Sequence, residues 1–222
     1  MIDPKVETAV KVAFAAFTKY SSFDATPFTS VFAEVFASEE DFLTKVDMLD
    51  EVFDDYPQLE ILREVFFDLL MINFFSADIK KLEEDYLDSE EWEEIEEDTL
   101  DRGTEMLNLL LYLNECQDEG IEPGLEDYLK EFLLVDEDEF QDEYRIYEPV
   151  IAHQVLMESA VAEISKVAEK LPEDSELKEL FYPMMCFFQN TRPSDQDKKA
   201  IADEAITRDF DMAVLEILIS FS

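Results

Sequence analysis

The sequence predicts an all-α protein, a compact multi-helix bundle, and three observations carry that expectation. Glycine occurs three times in 222 residues, whereas sheets joined by hairpins need glycine at their turns. Glu, Leu, Ala and Phe are abundant, and apolar residues recur at three- and four-residue spacing in segment after segment. Hydrophobic residues make up 47% of the chain, including 19 Phe, so a packed core is available despite the acidic content.

Asp3-Pro4 marks the first helix start, an N-cap followed by proline. Val6, Val10, Phe14 and Phe17 form its buried stripe, while Ala9, Ala13 and Ala16 permit close packing. After a connection at Tyr20 to Ala25, Thr26-Pro27 repeats the start signal ahead of Phe28, Val31, Phe32, Val35 and Phe36. Ser38-Glu39-Glu40-Asp41 resembles a capping box ahead of Phe42, Val46, Leu49 and Phe53. The stretch from Pro57 to Phe75 is the most apolar long segment, and from Leu59 onward only Glu60, Arg63, Glu64, Asp68 and Asn73 are polar. A helix this apolar is buried on most sides, and Arg63, Glu64 and Asp68 inside it argue against a membrane span.

From Ser76 to Asp98 the chain turns strongly acidic. Ile79, Leu82, Tyr86, Trp92 and Ile95 keep helical spacing, which predicts helix with an interruption near Ser89. Thr99 to Leu113 regains an apolar stripe in Leu100, Met106, Leu107, Leu110 and Leu111. Glu115 to Gly124 holds two of the three glycines and divides the chain. Beyond it, Leu125 to Val135 reads as a short helix and Asp136-Glu137-Asp138-Glu139 as the cap of the next. Pro149 then opens a long helix with Val150, Gln154, Met157, Val161, Ile164 and Val167 on one side. A second very apolar helix runs from about Pro172 to Phe188. Ser194 to Asp197 forms a capping box, and a last pair of helices ends in an apolar C-terminus that packs into the core.

The two apolar helices echo one another. A gapless shift of 115 residues lays Pro57 on Pro172, Leu62 on Leu177, Glu64 on Glu179 and Phe66 on Phe181. The expectation is therefore one all-helical domain, 1–222, with pseudo-repeated halves 1–115 and 125–222. Pro183 falls where Asp68 does, which predicts a kink in the second copy.

Charge sets the function classes. With 57 acids against 17 bases the net charge is −40, and direct nucleic-acid binding lacks the basic clusters that neutralise phosphate. Anionic membrane surfaces are disfavoured on the same ground. A cytoplasmic location is the default expectation, since MIDPKVETAV has no basic region followed by an apolar one.

Catalytic chemistry finds little support. His153 is the single histidine, with Glu148 and Glu158 five residues away on either side. That spacing is wrong for ligands on one helix face, and a carboxylate di-iron bundle needs Glu-x-x-His twice. An activated nucleophile needs an adjacent base, and the sequence offers no such pair. Cys116 and Cys186 form no metal-ligand or CxxC spacing, and Cys186 reads as core. No cofactor and no dedicated metal site is expected.

The expected function is non-enzymatic: binding of a basic protein partner, as an inhibitor, an immunity-type protein or a chaperone-like adaptor does. Candidate partner-binding residues are Glu90, Glu91, Trp92, Glu93, Glu94, Glu96 and Glu97 in the first acidic run. Asp136, Glu137, Asp138, Glu139 and Tyr144 belong to the second, an acidic and aromatic segment that includes Tyr128, Phe132, Phe140 and Tyr147. Aromatics anchor interfaces and acids steer association, although a core stripe at helical spacing accounts better for at least three of these five rings. Three alternatives stand beside it: a DNA mimic, a divalent-cation binder at Glu90 to Asp98, or charge suited to a high-salt cytoplasm.

Overall fold

The computed structural model describes residues 1–77, 89–136, 139–140 and 145–222, with residues 77, 131–136 and 139–140 described through their backbone alone. Asp3 opens α1 (Pro4–Tyr20) as expected, its carboxylate accepting the amides of Lys5 and Val6. Next come α2 (Phe28–Ala37), α3 (Phe42–Asp55) and α4 (Arg63–Ala77), the last preceded by a 3₁₀ turn at Pro57–Leu62. The cap of α3 is Asp41, which accepts the Thr44 amide, and not Ser38, whose hydroxyl accepts the Glu40 amide outside the helix.

The chain continues through α5 (Glu90–Asp98), α6 (Met106–Glu119) and α7 (Leu125–Leu133). Gly120 ends α6 in the left-handed region at φ 69°, a conformation glycine adopts without steric cost. A two-stranded antiparallel ribbon follows, β1 (Leu134–Asp136) against β2 (Glu139–Phe140). Asp136 and Glu139 thus belong to a ribbon and not to a helix cap. Ile79, Leu82, Tyr86, Glu137, Asp138 and Tyr144 lie outside the described residues.

The predicted long helix after Pro149 is divided into α8 (Glu148–Ala152), a 3₁₀ segment (Gln154–Glu158) and α9 (Val161–Ala168). A tertiary contact stands at the second break, between the 3₁₀ segment and α9. The Gln189 side-chain amide donates to the carbonyls of Leu156 and Ser159, which a continuous helix would have given to its own backbone. The second apolar helix is also shorter than expected. Residues 172–180 form turns, and α10 spans Phe181–Gln189. Pro183 sits in the first turn of α10, where a missing N–H leaves no bond unmade, so it starts the helix instead of kinking it. α11 (Asp195–Glu204) carries the expected Ser194–Asp197 capping box, and α12 (Arg208–Phe221) closes the chain.

The buried side chains form one contiguous cluster that draws on both halves. Phe14, Phe32, Phe53 and Phe66, from four successive helices, meet with ring centroids 4.8 to 6.0 Å apart. Each such buried ring stabilises the fold by about 1.5–3 kcal/mol. The most extensive helix pair among the described residues is α1 against α12, and Ala9 and Ala13 of the one and Ala213 of the other are fully buried. Small residues at such a contact let two backbones approach closely. A second aromatic group joins Tyr112, Tyr128, Tyr147 and Phe188, so Tyr128 and Tyr147 are core residues. No described helix is long and apolar enough to cross a membrane.

Candidate functional site

The polar residues of α4 show how the site is built. Arg63 pairs with Asp50, Asp54 and Glu60 at 2.7 to 2.8 Å. Asn73 accepts the Asp3 amide at 2.8 Å and donates to the Phe36 carbonyl. Glu64 and Asp68 reach the other way, to the loop between α5 and α6. Glu64 accepts the Gly103 amide at 2.6 Å and the Arg102 guanidinium at 3.2 Å. Arg102 also pairs with Asp50 at 2.9 Å and lies 4.9 Å above the Phe67 ring. Burial alone would loosen its proton, but Asp50 and Glu64 more than offset that and raise its pKa. Asp68, fully buried, accepts the Thr104 amide at 3.0 Å and the Thr104 hydroxyl. Burial pushes its carboxyl well above the ordinary range, Thr104 partly offsets this, and nearby Glu64 and Glu105 add to the rise. These contacts latch the loop onto α4 and so fix α5 beside it.

α5 begins where the sequence breaks, with the Ser89 hydroxyl accepting the Trp92 amide at 3.1 Å. Ile95 is buried, and Trp92 turns inward, its ring 6.4 Å from Phe74 and nearly parallel to it, and 5.7 Å from Phe75. Glu90, Glu91, Glu93, Glu94, Glu96 and Glu97 all stay exposed. Among the described residues no ion pair engages any of the six. Acids at the N-terminal turn suit the helix dipole, but Glu96, Glu97 and Asp98 crowd its negative end.

Between α4, α5 and α6 lies an open groove of about 820 Å³. Phe67, Met71 and Phe75 of α4 face it, as do Leu107 and Leu111 of α6 and Trp92 and Ile95 of α5. Glu93, Glu96 and Glu97 line it from α5, and Leu100 and Arg102 complete it. Leu100, expected in a buried stripe, is 81% exposed, because α5 ends at Asp98 and the residue falls outside the helical phase.

The first acidic run is thus divided: Trp92, Glu93, Glu96 and Glu97 reach the groove, while Glu90, Glu91 and Glu94 do not line it. Nothing in the described residues brings the second acidic run to the same place, and the side chains of Asp136 and Glu139 are not described. Phe67 and Met71 are buried as the sequence predicts and form the floor, whereas sequence reasoning missed Phe75, Leu107 and Leu111 as residues that reach the surface. The signal present was apolar character on more faces of α4 and α6 than one core contact needs.

The remaining chemistry-bearing residues are occupied structurally. His153 Nδ1 lies 2.7 Å from the Pro149 carbonyl, which places its proton on that nitrogen, and the ring meets Phe181 edge-on. Both cysteines are buried and free, and burial pushes the Cys186 thiol up to about 12. Among the described residues no group of three or more His, Cys, Asp or Glu is placed to hold a metal ion. No family model, curated protein or solved structure matches the chain.

Proposed function

We propose that the chain is a non-enzymatic binding protein that engages and masks a basic protein partner through the groove walled by α5. The observation that carries this reading is the two-sided character of α5, with Trp92 and Ile95 turned onto an apolar groove whose edge is set by Glu93, Glu96 and Glu97. An apolar centre with a charged rim is the arrangement of a binding interface, and carboxylates around it accelerate encounter with a cationic surface. Net charge of −40 extends that steering over the whole molecule. A cationic partner would also relieve the like-charge crowding at the C-terminal turn of α5.

The test compares the wild-type chain with a triple variant, Glu93→Gln, Glu96→Gln and Glu97→Gln, each immobilised and exposed to the same native lysate. Basic proteins should be retained by the wild type, released by salt, and largely lost from the variant. Equal retention by both, or no salt-released protein at all, would remove the support for this reading.

A further inference from the structure

We infer that the groove receives its partner as an amphipathic helix with an apolar stripe and flanking lysines or arginines. This rests on the reading of the groove as a site for a basic protein and specifies the shape of what enters it. Phe67, Met71 and Phe75 are four residues apart along α4, and Leu107 and Leu111 are four apart along α6. On an α-helix that spacing makes a continuous ridge, here about 12 Å long on α4. Two ridges side by side leave a trough of the kind into which a third helix packs, at an interaxial distance of about 8–10 Å.

The walls also exclude another mode of recognition. An extended peptide binds by adding a strand to a sheet edge, and it needs a row of unpaired backbone groups. α4, α5 and α6 spend theirs internally, and in the loop that completes the groove the amides of Thr99, Arg102, Gly103 and Thr104 are bonded within the protein, so no row of unpaired backbone groups is presented. Apolar residues at helical spacing in the ligand then meet Phe75, Leu107 and Leu111 above a floor of the almost fully buried Phe67 and Met71, and its basic flanks meet Glu93, Glu96 and Glu97. Arg102, already held by Asp50 and Glu64, is left as a neutralised part of the wall.

Trp92 is the single tryptophan of the chain and lines the groove, so its fluorescence reports occupancy directly. The full-length protein is titrated with a Leu-Lys peptide of about eighteen residues whose leucines follow helical spacing. A peptide of the same composition with strictly alternating Leu and Lys serves as comparison, and a Pro-Lys peptide as a second. The helical peptide should shift Trp92 emission saturably and gain helicity by circular dichroism, while the other two bind at least about tenfold more weakly.

Leu111→Glu separates groove from charge. It adds an acid at a position already 37% exposed, so attraction by charge alone would hold or rise, whereas loss of the apolar contact weakens binding by about tenfold or more. Leu100→Glu, at an 81% exposed position, repeats the test where folding is not at stake. Equal binding of all three peptides, undiminished by either substitution, would overturn the helical mode and leave basic-protein binding standing. No response of Trp92 to any peptide would also overturn it, and the lysate comparison then decides the broader reading separately. A change in Trp92 emission on concentrating the protein alone would assign the groove to a second copy and overturn the proposal.

Discussion

Thr104 gives both its backbone N–H and its hydroxyl to one carboxylate, that of Asp68, which is fully buried on α4. This contact, with Glu64 holding Gly103 and Arg102, decides where the loop after α5 sits. The groove therefore depends on carboxylates that lie beneath it.

Thr104→Val should reveal that dependence. The substitution keeps the shape but removes one donor from a buried carboxylate, which costs about 1–3 kcal/mol, and also the acceptor of the Met106 amide, a loss that does not vary with pH. The donor favours the ionised form of Asp68, so the first loss grows as pH rises through the Asp68 titration and shrinks as pH falls. Urea denaturation at several pH values measures both parts, and a loss with no component that varies with pH would contradict the assignment.

Gly103 is confined by the same carboxylate. Its φ is +82°, and a Cβ there would stand 2.6 Å from the Asp68 Oδ1 and 3.1 Å from the Phe67 ring. Gly103→Ala should destabilise the protein by more than about 1 kcal/mol and alter Trp92 emission as the loop shifts. Unchanged stability and emission would show that the loop yields freely.

Asp211 sets a pH dependence elsewhere in the fold. Burial pushes its carboxyl up to about 7, against donation from the Thr207 and Ile206 amides and with Asp209 and Glu179 adding to the rise. Its ordinary value is 3.8, so between pH 4 and 7 the folded state holds a proton that the unfolded state has released. Stability contributed here falls with rising pH by up to about 1.4 kcal/mol per unit and levels off above 7. Asp211→Asn should gain on the wild type across that window and no further beyond it. A constant difference from pH 4 to 8 in paired denaturation curves would exclude this role.

Self-repulsion should be visible in salt. At a net charge of −40, screening by molar NaCl should raise the melting temperature by more than about 4 °C, equivalent to at least about 1 kcal/mol in a chain of this size. A melt that does not move would show that the surface carries its charge without strain.

Local signals in the sequence reached the structure where chemistry was local. Asp3, Ser89 and the Ser194–Asp197 pair cap helices as their side chains dictate, and the all-α class follows from periodicity and scarce glycine. Long-range contacts were not legible. No local pattern says that Gln189 would take the carbonyls of Leu156 and Ser159 and divide a helix. The glutamates of α5 and the inward Trp92 could be read from spacing, but the groove could not. It exists because Phe75 of α4 and Leu107 and Leu111 of α6 reach past the neighbours that bury Phe67 and Met71, and pairing of helices is not written in either helix alone. Arg102 carried no motif, and its importance comes from Asp50, 52 residues earlier in the chain.

Hydrogen–deuterium exchange of the full-length protein with and without the helical Leu-Lys peptide tests the groove most directly. Protection should concentrate in residues 90–99 of α5 and its C-terminal turn and in the 106–111 segment of α6, and Leu111→Glu should sharply reduce it at the same peptide concentration. Protection spread evenly over the acidic surface, or confined to helices away from the groove, would contradict it.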